Sequence, residues 1–252
     1  MMENLRSAFS VICEKYKLSE EKITANGLHK VIDEYPYAPY IPDNWNGYLV
    51  IAEAQQLKGN NEGNKKFVEE LKVAAQEDLI FRLNNKKFLN SKVGITPWDE
   101  GYIKLALKSA FPDINLNQVG VANAVPWHLD KTNKEQDKFL CELSVKYWNE
   151  VLILLKDKGL KCIIRTGEYA RTILDYDTLK KMSIQEIYKL RSASQLGRDS
   201  YLFDPADLRK RYMEVDNAFN SDPGLYAKAI EPDLIFYAAH AVSTINKKRN
   251  AL

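Results

Sequence analysis

The sequence predicts an α/β fold, a three-layer α/β/α arrangement around a central, mostly parallel four-stranded sheet, with helices added at the amino terminus. Two observations predict it. Four short runs are continuously apolar and rich in β-branched or aromatic residues, as strands covered on both faces are. Between them lie segments with helical spacing and helix-start signals, and strands that alternate with helices imply a parallel sheet with helices on both sides.

The first elements are helical. Leu5, Phe9, Ile12 and Tyr16 recur at helical spacing, and Ser19 before Glu20 and Glu21 resembles the capped start of a second helix. In Tyr35-Pro36-Tyr37-Ala38-Pro39-Tyr40-Ile41-Pro42 three prolines bar a helix, and the tyrosines suggest a loop packed on the body. Residues 1–44 are therefore read as a helical extension packed on the body, and 45–252 as the α/β domain. The four apolar runs of that domain are Tyr48–Ala52, Val119–Ala122, Cys162–Ile164 and Leu234–Ala239. Phe67, Val68, Leu71 and Ala75 mark a helix after the first run. Thr96-Pro97-Trp98-Asp99 opens another, with Thr96 as N-cap, Pro97 in the first turn and Asp99 reaching back. Phe139, Leu143, Tyr147, Val151 and Leu155 form the most regular stripe of the chain. Further helix starts are expected at Ser183 with Glu186, and at Asp204-Pro205 with Asp207.

Composition narrows the function classes. With 36 Lys and Arg against 34 Asp and Glu the formal charge is +2, so no global field draws the chain to nucleic acid and any attraction must be local. No stretch approaches the ~18 apolar residues of a spanning helix, so no membrane-embedded role is expected. The start, Met1-Met2-Glu3-Asn4-Leu5-Arg6, lacks a basic cap before an apolar core, so a cytoplasmic protein without a secretory leader is expected. Cys13, Cys141 and Cys162 are too few and too scattered for a zinc or iron–sulfur site and are read as buried thiols. His29, His128 and His240 show no metal-ligand spacing, and no phosphate loop, dinucleotide fingerprint or serine-hydrolase elbow occurs. No metal and no cofactor are expected.

Ligands of an open parallel sheet bind beyond the carboxyl ends of its strands, so the residues after each apolar run matter most. The first run leads into Glu53, the second into Asn123, the third into Arg165-Thr166-Gly167-Glu168, and the fourth into His240. A carboxylate, an amide, a helix start and an imidazole would thus converge on one edge. Each also has a plain structural reading: Glu53 as a helix cap, Asn123 as a turn, His240 as a core histidine.

These segments resemble the uracil-DNA glycosylase superfamily. Ile51-Ala52-Glu53-Ala54-Gln55 is similar to its first strand-end motif, and Ala122-Asn123-Ala124-Val125-Pro126 to its Asn-bearing second. Trp148-Asn149-Glu150-Val151 through Gly167-Glu168-Tyr169-Ala170 resembles the third, and Ala239-His240-Ala241-Val242-Ser243 the last, a His-Pro-Ser motif. The similarity spans roughly residues 45–245 in order and spacing, and leaves 171–231 without a counterpart. Gln55-Gln56 stands where the family has Pro-Gly, the proline after the histidine is absent, and so are the cysteines that bind iron–sulfur in some branches.

The resemblance implies hydrolysis of the N-glycosidic bond of uracil or a related damaged base in DNA, single-stranded or in a damaged duplex. Such chemistry must stabilise a departing base and a cationic sugar and must extract the base from its stack. Glu53 would stabilise the sugar or orient the water, Asn123 would read the base edge, and His240 would donate to the base oxygen. Trp98 is the favoured stacking aromatic, with Tyr102 and Trp127 as other candidates. Backbone contacts would come from Lys58, from the amides of Thr166 and Gly167, and from Ser243 with the basic run Lys247-Lys248-Arg249. That run also reads as a solvated terminus, and Arg209-Lys210-Arg211 beside Asp207 and Glu214 as an ion-paired helix face. Two alternatives stand beside the enzyme. One is a catalytically inactive member of the fold that binds a nucleobase, nucleic acid or protein partner. The other is a small-molecule protein with its crevice lidded by the amino-terminal segment.

Overall fold

A continuously apolar strand is stable only when both of its faces are covered, and that requirement builds this molecule around four parallel strands. The computed structural model describes residues 2–25, 34–55, 102–128, 134–184, 186–190, 205–221 and 232–250. The strands are β1 (Tyr48–Gln55), β2 (Gly120–His128), β3 (Cys162–Thr166) and β4 (Glu186–Leu190), all parallel in the spatial order β2-β1-β3-β4. The described helices are α1 (Met2–Lys15), α2 (Glu20–Ala25), α3 (Tyr102–Ala110), α4 (Lys134–Asp157), α5 (Gly167–Ile173), α6 (Tyr176–Lys181), α7 (Pro205–Ser221) and α8 (Pro232–Arg249). The expected three-layer α/β class is what forms.

Alternation along the strands sorts the core into two layers. Leu49, Ile51, Ala122, Ala124, Ile163 and Ile187 face one layer, where they meet residues of α1, α4, α5 and α6. Val50, Ala52, Val121, Ile164, Tyr188 and Leu190 face the other, against α3, α7 and α8. β3 is buried along its whole length, as an inner strand must be.

The amino-terminal segment belongs to the first layer. Leu5, Phe9, Ile12 and Cys13 of α1 are buried in the same cluster as Tyr147 and Val151 of α4. Tyr16 meets Tyr147 edge-on at 5.8 Å, and both Lys15 Nζ and the Tyr16 hydroxyl donate to Glu150 at 2.6 Å. Ser19 Oγ accepts the Lys22 N–H at 3.3 Å, the cap expected for α2. The proline-rich segment runs antiparallel along the outer edge of β2. Tyr40 exchanges two backbone hydrogen bonds with Val121 at 2.9 and 3.0 Å, and Tyr37 N–H donates to Pro126 O at 2.8 Å. Prolines suit this place, because an edge needs few donors and its blunting prevents further strand pairing.

The fourth strand requires a correction. Leu234–Ala239 lies inside α8, and the outer strand is Glu186–Leu190, where the sequence suggested a helix start at Ser183 and Glu186. A short apolar run does not distinguish a buried strand from a buried helix. Here Ala238, Ala239, Ala241, Val242 and Ile245 cover the sheet as one helical face. The predicted helices over 139–155 and from Pro205 form as α4 and α7, whereas those at Phe67–Ala75 and Thr96–Asp99 lie outside the described residues.

Candidate functional site

The strand order defines where a ligand crevice opens. In chain order β1 is followed by β2 on one side of it and β3 by β4 on the other, so the topological switch point of the sheet lies between the adjacent strands β1 and β3. Ligands of open parallel sheets generally bind beyond the carboxyl ends of the strands at such a point. Glu53, Thr166 and Gly167 stand there.

Their arrangement follows from local chain geometry. Glu53 falls one residue after Ala52, which faces the α3/α8 layer, so its side chain turns toward α5. Its carboxylate accepts the backbone N–H of Glu168 in the first turn of α5. An anion there is favoured by the unsatisfied amides of a helix start. Gly167 makes the approach feasible. It adopts φ +85°, and a Cβ at this position would overlap the Glu53 side chain. Thr166 is buried, and its hydroxyl donates to Ile51 O at 3.5 Å, tying β3 to β1 just below the crevice. The side chain of Glu168 pairs with Arg171. Pairing between β1 and β2 shifts register between Ala54 and Gln55, and such a bulge re-aims the chain at the edge of a sheet. Sequence reasoning missed Glu168 as the partner of Glu53; a glycine directly after an apolar strand was the available signal.

Other expected site residues are placed elsewhere. Asn123 is not at a strand end. It pairs with Ala52 in the middle of β2, which continues to His128. Its neighbours Ala122 and Ala124 face the α4 layer, so Asn123, 8% exposed, faces the α3/α8 layer, opposite to Glu53. His240 follows no strand. It lies within α8, 1% exposed, with Phe236 edge-on at 4.3 Å. The acid, the amide and the imidazole therefore do not meet in one slot. β4 ends at Leu190, and the next residues in the sequence are Arg191 and Ser192, not a histidine.

The remaining assignments resolve as follows. Ser243 is buried and its hydroxyl donates to Asp207 of α7, a helix–helix contact that withdraws it from backbone binding. That bond, together with Arg211 and Lys247, holds the Asp207 carboxyl below its ordinary value against the opposing effect of burial. Arg211 pairs with Asp207 at 3.2 Å and Glu214 at 2.8 Å, as an ion-paired helix face requires. Lys247-Lys248-Arg249 is the last turn of α8, not a frayed end, and Arg249 donates to Ala110 O at 2.8 Å. Tyr102 and Trp127 are core residues, and Trp98 and Lys58 lie outside the described residues. His128 closes β2 beside Gln55, which puts its backbone at the carboxyl edge of the sheet. Cys13 and Cys162 are buried free thiols, and Cys141 is half-buried. Among the described residues no group of three or more His, Cys, Asp or Glu could hold a metal ion, and no helix is long and apolar enough to cross a membrane.

No protein-family model matches the chain, and no curated protein matches it.

Proposed function

We propose that the crevice above β1 and β3 is a nucleobase site of the uracil-DNA glycosylase type, and that the protein hydrolyses the N-glycosidic bond of uracil or a related damaged base in DNA. One observation carries this reading. Glu53 is a carboxylate held at the switch point of a parallel sheet by a backbone amide, over a residue with no side chain. In this reaction the base leaves with the bonding electron pair, and water adds to the sugar carbon and gives up a proton. An anchored carboxylate supports both halves, by stabilising the cationic sugar and by orienting the water. The reading rests on Glu53, since His240 lies inside α8.

A second reading is favoured by the separation of Asn123 from Glu53 on opposite faces: the same crevice binds a base without cleaving it. The lidded small-molecule reading lacks its expected sign, since residues 37–40 run along the side of β2 and not across the carboxyl ends. One experiment separates the first two. Purified protein is incubated with uracil-containing single-stranded DNA, and free base and DNA binding are both measured. Base release that falls by about 10²-fold or more in Glu53→Gln, with binding retained, supports the enzyme. Binding without release, insensitive to Glu53→Gln, supports the second reading. Neither binding nor release rejects both.

A further inference from the structure

A cleft of about 530 Å³ opens along the outer strand β4. Among the described residues Arg165, Arg171 and Lys248 line it together with the carboxylate of Asp175, and Tyr176 and Ile187 add apolar wall. The two innermost cations are held by carbonyl groups. Arg165 is 4% exposed, its Nη1 donates to Leu174 O, and its buried Nε has no hydrogen-bond partner among the described residues. Lys248 Nζ donates to Ile187 O and lies 4.7 Å from the centre of the Tyr176 ring. Neither forms an ion pair with a described residue. Asp175 caps α6 by accepting the Thr178 N–H at 3.0 Å while its charge also acts on Arg165, and Arg171 pairs with Glu168.

A buried guanidinium with an unsatisfied N–H is costly, and proteins normally pair such a group or give it an anionic ligand. The charges also act on one another. Burial pulls the Lys248 ammonium below its ordinary pKa and Arg165 pushes it the same way; burial likewise lowers Arg165, with Arg171 adding to the effect and Asp175 opposing it. A purely structural role accounts for one bond of Lys248, which satisfies an outward carbonyl of the edge strand. It does not account for the buried Nε of Arg165, which has no hydrogen-bond partner among the described residues.

We propose that this cleft binds a phosphate group, with Arg165 and Lys248 as its principal ligands and Tyr176 and Ile187 receiving an organic body attached to it. The space suits a mononucleotide-sized phosphomonoester, within the ~300–1,000 Å³ usual for small-molecule sites. Charge-assisted bonds from a guanidinium and an ammonium are the ordinary means of holding such a group.

The test is titration calorimetry of the full chain with inorganic phosphate, adenosine 5′-monophosphate and adenosine. Both phosphate probes are expected to bind and adenosine is not. Adenosine monophosphate tighter than phosphate by about tenfold identifies a phosphomonoester as the ligand, and equal affinities identify the free anion; either upholds the site. Lys248→Met, on the partly exposed end of α8, is expected to fold and to weaken both probes by about tenfold or more. Arg171→Gln provides a second folded variant with a smaller loss. The proposal is overturned if neither phosphate probe binds, if Lys248→Met binds them undiminished, or if adenosine binds as tightly as its monophosphate. Phosphate binding is read separately from base release, so the failure of either proposal leaves the other standing.

Discussion

The contact between Glu53 and Gly167 shows how far a single residue can decide a site. A left-handed φ of +85° is accessible to glycine at little cost and strains any other side chain by about 1–3 kcal/mol. At this glycine the substituent would also strike the carboxylate it supports. Gly167→Ala is therefore expected to lower stability by at least that amount and to displace Glu53 from the Glu168 amide. Denaturant unfolding measures the first effect and base release or ligand binding the second. A variant with unchanged stability would show that the left-handed turn is not essential. Glu53, Thr166 and Gly167 could be located because the apolar runs before them form β1 and β3, although β1 continues two residues past Glu53. His240 was misplaced because its preceding run is a helix, and Asn123 because β2 continues past it. The polar residue after an apolar run need not be the end of the strand, since β1 continues past Glu53 and β2 past Asn123.

Between elements, the clearest coupling is that of α1 to α4 through Glu150. Burial raises the pKa of this carboxyl, but hydrogen bonds from Lys15 and Tyr16 outweigh it and leave it below the ordinary 4.5. A depressed carboxylate adds stability above its unfolded value, and loses it as pH falls through the folded one. Docking of α1 should thus weaken as acid protonates Glu150. The side chains of Lys15 and Glu150 are 60% and 33% exposed, so solvent screens the pair and its worth is within about 0.2–1 kcal/mol. Thermal melts of Glu150→Gln and the parent should differ at neutral pH and converge as pH drops through the carboxylate range. A gap that persists in acid would assign the loss to packing. The segment around Tyr37 and Tyr40 also belongs to this scale. Its prolines excluded a helix in the sequence, but only pairing with Val121 and Pro126 shows that it closes the edge of β2.

Across the whole molecule, the parallel sheet requires two covering layers, and the amino-terminal helix supplies part of one. Phe9 is 4% exposed within the cluster that contains Ile51 and Val151. Phe9→Ala should cost about 3–5 kcal/mol through lost burial and the cavity left behind. Chemical denaturation would measure it as a shift in midpoint without a change in slope. A loss under about 1 kcal/mol would mean that α1 packs as an appendage and not as core.

Apolar runs and helical spacing by themselves determined the α/β class, three of the four strands and the helices α1 and α4, and a helix-start signal determined α7, because these are local properties of the chain. They also placed a carboxylate near the end of one true strand and a glycine turn after another. Tertiary packing decided the rest. Whether an apolar run became β4 or α8 depended on which segment had a strand edge beside it and which had a sheet face to cover. Which polar groups share a surface depended on the face each side chain turns to, and that is fixed by strand register between residues far apart in sequence. The cationic cleft beside β4 is of the same kind, since Arg165, Arg171 and Lys248 come together only when α5 and α8 close over the last strand.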